Sequence, residues 1–199
     1  FFGTTYALPG PLEDGMVVQV TGTPRLHNTF GFSVNVKTIR PIGEGALKRA
    51  ADLLRAKLRA EGLFAAERKQ ALPYPPQRIG LVASGESAAY ADFLKILNAR
   101  WGGIEILHAE SQVQGEAAVG QIVAALDMLN AMGNLDVIVI TRGGGSADDL
   151  AAFSTEQVVR TIAASRVPTL VAIGHEIDES LSELVADMRA STPSNAAEL

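Results

Sequence analysis

The period of the hydrophobic positions changes along the chain, and each change marks a new kind of element. Phe30, Phe32, Val34 and Val36 alternate with Gly31, Ser33, Asn35 and Lys37. This period of two predicts a strand with one wet face. Met16 to Val20 reads as another strand, and Gly22 to Thr29 as a turn-rich stretch. Phe30 and Phe32 share a face with Val34 and Val36, so they read as core residues rather than exposed stacking platforms for bases. Two or three strands do not stand alone, so residues 1–43 read as the tail of a small barrel. The period then becomes helical. Leu47, Ala50, Leu54 and Leu58 repeat at helix spacing over residues 44–69, and Gly62 interrupts or ends the main body. Pro73, Pro75 and Pro76 suit neither a helix nor a central strand, so a domain boundary is placed there.

From Arg78 onward, short apolar runs alternate with amphipathic segments. Strands are predicted at 79–83, 104–109, 135–140 and 167–173, the last with Pro168 near its start. Between them lie helices from about Ala88 to Trp101, after Gly115, and after Ser154. Ser154 with Gln157, and Ser180 with Glu183, have the spacing of capping boxes. Strands separated by helices of this length make a parallel, doubly wound α/β sheet with helices on both faces. The expected organisation is a β segment (1–43), a basic helix with a Pro-rich linker (44–76), and an α/β domain (77–199).

The absence of cysteine excludes disulfides and thiolate metal sites, which suits a reducing, cytoplasmic setting. No apolar run approaches the roughly 20 residues of a membrane span. Both ends read as cut, since the chain lacks an initiator Met and stops as a helix begins at Thr192. The net charge of −5 argues against nucleic acid until its distribution is considered. Residues 37–78 hold ten Lys/Arg and four Asp/Glu, whereas residues 79–199 hold six and sixteen. Such asymmetry marks either a segment that touches a polyanion or a solvated basic helix. Lys48, Arg49, Arg55 and Arg59 are its candidate contacts.

The candidate chemistry lies where strands end. The apolar run to Ile140 feeds into Thr141, Arg142, Gly143, Gly144, Gly145 and Ser146. Three glycines allow positive φ and close approach to the main chain, and a cation beside exposed N–H groups suits a phosphate. An ordinary glycine-rich turn is the alternative. Ser84 and Asp92 follow the first strand of the sheet, and His175 and Asp178 follow the fourth. In a parallel sheet these junctions share one edge. Arginine there can neutralise a phosphoryl transition state, histidine can move a proton, and a carboxylate can orient the imidazole or hold a metal. Asp178 could instead cap the next helix, and Asp92 could be a solvated helix residue. His27 and His108 lack a partner motif and read as structural. No Walker A loop, dinucleotide fingerprint, nucleophile elbow or zincin helix is present.

Several of these stretches together resemble the large subunit of exodeoxyribonuclease VII. They are Arg142 to Leu150 (RGGGSADDL), Gly174 to Asp178 (GHEID), Ala186 to Ala190 (ADMRA) and Thr192 to Leu199 (TPSNAAEL). Ser84 to Asp92 is similar to that family's first-strand motif, but with Ser87 where the family has Gly and Ala91 where it often has a basic residue. Asp148 stands where the family has Glu. The resemblance implies that the β-rich start ends an N-terminal OB-fold. It implies an exonuclease that hydrolyses single-stranded DNA from either end to nucleoside 5′-phosphates or short oligonucleotides. The essential residues map to Asp92, Arg142, His175 and Asp178. The resemblance leaves Mg2+ dependence open, since members differ in whether they need it, with Asp92 and Asp178 as candidate ligands. Several copies of a small subunit are the implied partner, bound through a C-terminal helical region missing here. Two rivals stand beside this reading: a non-catalytic single-strand-binding or scaffolding module, and an α/β enzyme acting on a small phosphorylated substrate.

Overall fold

The computed structural model describes residues 12–27, 31–115, 117–143, 150–173 and 180–199. They form two compact units, divided between Lys57 and Leu58.

The first unit holds an antiparallel pair, β1 (Val18–His27) and β2 (Gly31–Pro41). β1 runs through the stretch expected to be turn-rich. The reason is a bulge: Thr21 pairs with Thr38 and Gly22 with Val36, so Lys37 is the extra residue. A Cβ on Gly22 would lie 2.7 Å from the Asn35 carbonyl oxygen and 2.8 Å from Val34 Cγ1, so glycine is required there. The bulge also shifts the alternation of β2 by one. Phe32, Val34 and Val36 before it, and Ile39 and Pro41 after it, all pair with one face of β1, formed by Val18, Val20, Gly22, Pro24 and Leu26. Phe32 is not a core residue within this pair: it is 71% exposed, and its cross-strand partner Leu26 is 82% exposed. Phe30 lies outside the described residues.

Helix α1 (Glu44–Ala60) buries Ala50, Leu54 and Leu58 of the predicted stripe, and the side chain of its fourth member, Leu47, lies outside those described. It ends before Gly62, whose φ of +76° takes the left-handed turn that glycine favours. Residues 66–70 already belong to the second unit. Lys69 donates to the carbonyls of Leu184 and Ala186, and the Gln70 N–H donates to Asp187 Oδ1 at 2.7 Å. Asp187 Oδ2 meanwhile accepts from the N–H and hydroxyl of Thr169. The Asp of the ADMRA stretch is therefore a structural clasp.

The second unit is a five-stranded, wholly parallel sheet in the order β4-β3-β5-β6-β7. The strands are β3 (Arg78–Ala83), β4 (Glu105–Glu110), β5 (Val137–Thr141), β6 (Thr169–Ala172) and β7 (Met188–Arg189). Helices α2 (Ala88–Arg100) and α6 (Pro193–Glu198) cover one face, packing Phe93, Leu97, Ala196 and Ala197 on Ile79, Leu81, Val139 and Leu170. Helices α3 (Ala118–Met132), α4 (Glu156–Ala163) and α5 (Leu181–Val185) lie toward the other face. Gly80 lets α3 approach, since a Cβ there would meet Leu129 at 3.0 Å. The α/β, doubly wound expectation holds.

The two predicted caps fare differently. Ser180 and Glu183 form a full capping box on α5. Ser154 does not cap α4: residues 151–154 make a short 3-10 turn, Thr155 stands at the N-cap, and the Ser154 hydroxyl accepts from Leu181 N–H instead.

Candidate active site

The strand order reverses between β4-β3 and β5-β6-β7, so the crevice between the carboxyl ends of β3 and β5 is the topological switch point. Three features meet there. Arg142 leaves β5 with its N–H still bonded to Ala172 O on β6 (3.2 Å), and its side chain is only 3% exposed. Its Nη2 lies 3.5 Å from Gln114 Oε1, on the loop after β4. Next to it, Gly143 faces the first turn of α2: a Cβ there would sit 3.5 Å from Ala89 Cβ and 4.0 Å from Ala89 N. Gly143 has no positive φ, and a Cβ there would make only ordinary contacts, so neither its backbone nor packing within the chain requires glycine. Third, the buried Thr141 hydroxyl ends β5 with no hydrogen-bond partner, a rare state for a buried group. A buried guanidinium attracts an anion more strongly than a surface one does.

On the β3 side, Ser84 and Ser87 shape the turn into α2. Ser87 donates to Ser84 O (2.6 Å) and caps the helix by accepting from Tyr90 N–H (3.2 Å). The turn is braced from β4: Gly85 N–H donates to Glu110 Oε2 (2.9 Å), and His108 Nε2 lies 3.0 Å from Ala83 O while its ring packs on Tyr90. Asp92 is exposed on α2. It follows Tyr90 by two residues, about 200° around the helix. Since Tyr90 lies against β4, Asp92 occupies the flank of α2 away from β4.

Gly144, Gly145, Ser146, His175 and Asp178 lie outside the described residues. The segments around them are described, and they converge. The glycine-loop and GHEID stretches leave from neighbouring strands β5 and β6. They return to segments bonded to each other, through Leu181 N–H to Ser154 Oγ (3.4 Å) and Ser182 Oγ to Phe153 O (2.5 Å). The N-cap of α5 is Ser180.

The basic residues of α1 divide. Lys48 and Arg59 are exposed and Arg55 is half-buried, whereas Arg49 is held by Glu13 through Nε (2.9 Å) and Nη2 (2.7 Å). Among the described residues no three metal-ligating side chains gather, and Asp92 is the one proposed ligand. Sequence reasoning missed Gln114 and Thr141. Both stand at strand ends on the reactive edge, a signal that topology supplies once the strand order is known.

Comparison with known proteins bears on this edge. Residues 63–199 match the family model described as "Exonuclease VII, large subunit". The chain is 46% identical over 200 residues to the exodeoxyribonuclease 7 large subunit of Moorella thermoacetica, covering 100% of this chain and 50% of that protein. It is 48% identical over 188 residues to the protein of that name from Xanthomonas euvesicatoria pv. vesicatoria, covering 94% and 42%. For Geobacter sulfurreducens the identity is 44% over 200 residues, covering 100% and 45%. The chain thus spans about half the length of the curated relatives it matches.

Proposed function

The chain belongs to the exonuclease VII large-subunit family, and we propose that it carries the phosphodiester-cleaving core of an exonuclease acting on single-stranded DNA. The observation that carries this reading is Arg142, buried at the carboxyl end of β5 at the switch-point crevice. A fixed cation at the carboxyl edge of a parallel sheet suits a phosphate.

In the proposed mechanism Arg142 binds the scissile phosphate and neutralises the charge that grows in the transition state. Gly143, Gly144 and Gly145 let the phosphate reach the backbone, and Ser84 and Ser146 offer hydroxyl donors. His175 takes the proton from the attacking water or attacks phosphorus itself, while Asp178 orients its imidazole. Asp92 completes the site from the α2 flank. Lys48, Arg55 and Arg59 track the strand, with Arg49 joining only when Glu13 yields. Asp92 and Asp178 would hold Mg2+ where the reaction uses it, and the ion would supply Lewis-acid stabilisation of the phosphate. The products are nucleoside 5′-phosphates or short oligonucleotides, released from either end. Copies of the small exonuclease VII subunit are the proposed partner, and the cytoplasm the proposed location. Among the described residues no helix is long and apolar enough to cross a membrane.

The test is hydrolysis of end-labelled single-stranded DNA, with Mg2+ and with EDTA, by the parent, Arg142→Ala and His175→Ala. Hydrolysis by the parent and its loss in both variants supports the reading. Full activity in Arg142→Ala sinks it, and the EDTA lane decides the metal requirement. A rate independent of strand length would point instead to a small phosphorylated substrate.

A further inference from the structure

The loop after β4 is anchored at several points and presents one side chain to the crevice. Ser111 N–H donates to Ala83 O (3.1 Å), which ties the loop to the end of β3. Ser111 is buried, and its hydroxyl donates to Gln112 O (3.3 Å). Gln112 N–H donates to Gln121 Oε1 on α3 (2.7 Å), and Val113 is buried. Gln114 follows these anchors. It is exposed, and its Oε1 accepts from Arg142 Nη2 at 3.5 Å. Since β3 lies between β4 and β5, this contact spans the carboxyl end of β3. The bond is long, as contacts at unliganded catalytic sites often are. A guanidinium only donates, so the amide oxygen must face Arg142 and the amide nitrogen must face away.

What sets this position apart is its charge. Elsewhere the chain meets its arginines with carboxylates: Glu13 on Arg49, Glu105 on Arg78, and Glu61 with Glu156 on Arg160. Glutamate has the reach of glutamine and is the stronger acceptor for a guanidinium, so a purely structural clasp would gain from it. At Arg142 the same carboxylate would compete with a phosphate for the cation and repel the phosphate as it arrives. An amide orients the guanidinium without that competition.

Resting on the nuclease reading above, we propose that Gln114 is a positioning residue for that reaction. It steadies Arg142 as an uncharged acceptor, so that the guanidinium meets the scissile phosphate without a carboxylate from this loop in the way. Other contacts of Arg142 leave the role intact, because it depends on the neutrality of position 114 and not on Gln114 acting alone.

The test compares kcat and KM for end-labelled single-stranded DNA in the full chain and in its Gln114→Met and Gln114→Glu variants, with thermal unfolding of each. Gln114→Met keeps the length and loses the acceptor. Its kcat is expected to fall about 10-fold, the scale of one hydrogen bond to a charged group, with KM little changed. Gln114→Glu keeps the acceptor and adds the charge. Its unfolding temperature is expected to equal or exceed that of the parent, while kcat/KM falls about 100-fold. A structural clasp gives the opposite order, with Gln114→Glu as active as the parent. Stability and activity moving apart in Gln114→Glu therefore supports the role. A kcat/KM for Gln114→Glu at or above that of Gln114→Met overturns the role alone, as does a parent-like kcat in Gln114→Met. A parent that hydrolyses no single-stranded DNA overturns the nuclease reading and this role with it.

Discussion

Thr141→Val separates stability from function at a single atom. The Thr141 hydroxyl is buried without a partner, which costs the fold about 1–3 kcal/mol of desolvation. Valine keeps the shape and removes that penalty, so thermal unfolding should show equal or greater stability, while hydrolysis of single-stranded DNA should fall. Unchanged activity would mean that the hydroxyl does not meet the substrate. Arg142→Lys has the opposite logic. It keeps the charge and loses the planar fork, and a drop of about 100-fold or more in kcat is expected, the scale of losing one transition-state donor. Gly143→Ala discriminates further, because its Cβ makes only ordinary contacts at 3.5 Å or beyond. The variant should unfold within about 0.5 kcal/mol of the parent, so an activity loss would report a ligand against the backbone.

At the scale of elements, the apolar runs were legible because buried parallel strands leave long hydrophobic signatures that polar loops interrupt. Less legible was anything that depends on a partner strand. β1 continues past Gly22 because β2 supplies the matching bulge, a fact held by Lys37 on the other strand. Ser154 had the spacing of a cap, yet its hydroxyl serves Leu181, a residue remote in sequence. Asp187 likewise reads as an ordinary acidic residue until Gln70 and Thr169 are seen to share it. Two substitutions test these devices by chemical denaturation. Asp187→Ala strands the N–H groups of Gln70 and Thr169 and should cost about 2–3 kcal/mol. Gly22→Ala pushes a methyl to 2.7 Å from a backbone carbonyl that cannot swing aside, and should cost about 1–3 kcal/mol. Tolerance of Gly22→Ala would mean that the bulge is not fixed at this position.

For the whole molecule, the charge pattern matters more than the net charge of −5. Screening confines exposed charges to about 10 Å at 0.1 M salt, so a strand along α1 responds chiefly to the charges of α1 itself. Sequence alone counted Lys48, Arg49, Arg55 and Arg59 as equals. The structure ranks them, because Glu13 already occupies Arg49 through two hydrogen bonds while Lys48 and Arg59 are exposed. Removing Arg49 exchanges a compensated pair for a lone carboxylate and takes no ready phosphate contact away. Removing Lys48 and Arg59 takes two. The salt slope of single-strand binding should therefore fall by about 1.4 in Lys48→Ala/Arg59→Ala, at about 0.7 per contact, and change little in Arg49→Ala. The same anisotropy titration checks both. A slope unchanged in the double variant would leave α1 as a solvated basic helix and place strand binding on the carboxyl edge of the sheet alone. A larger fall in Arg49→Ala than in the double variant would mean that the strand displaces Glu13 to reach Arg49, making that pair a gate on binding rather than a bystander.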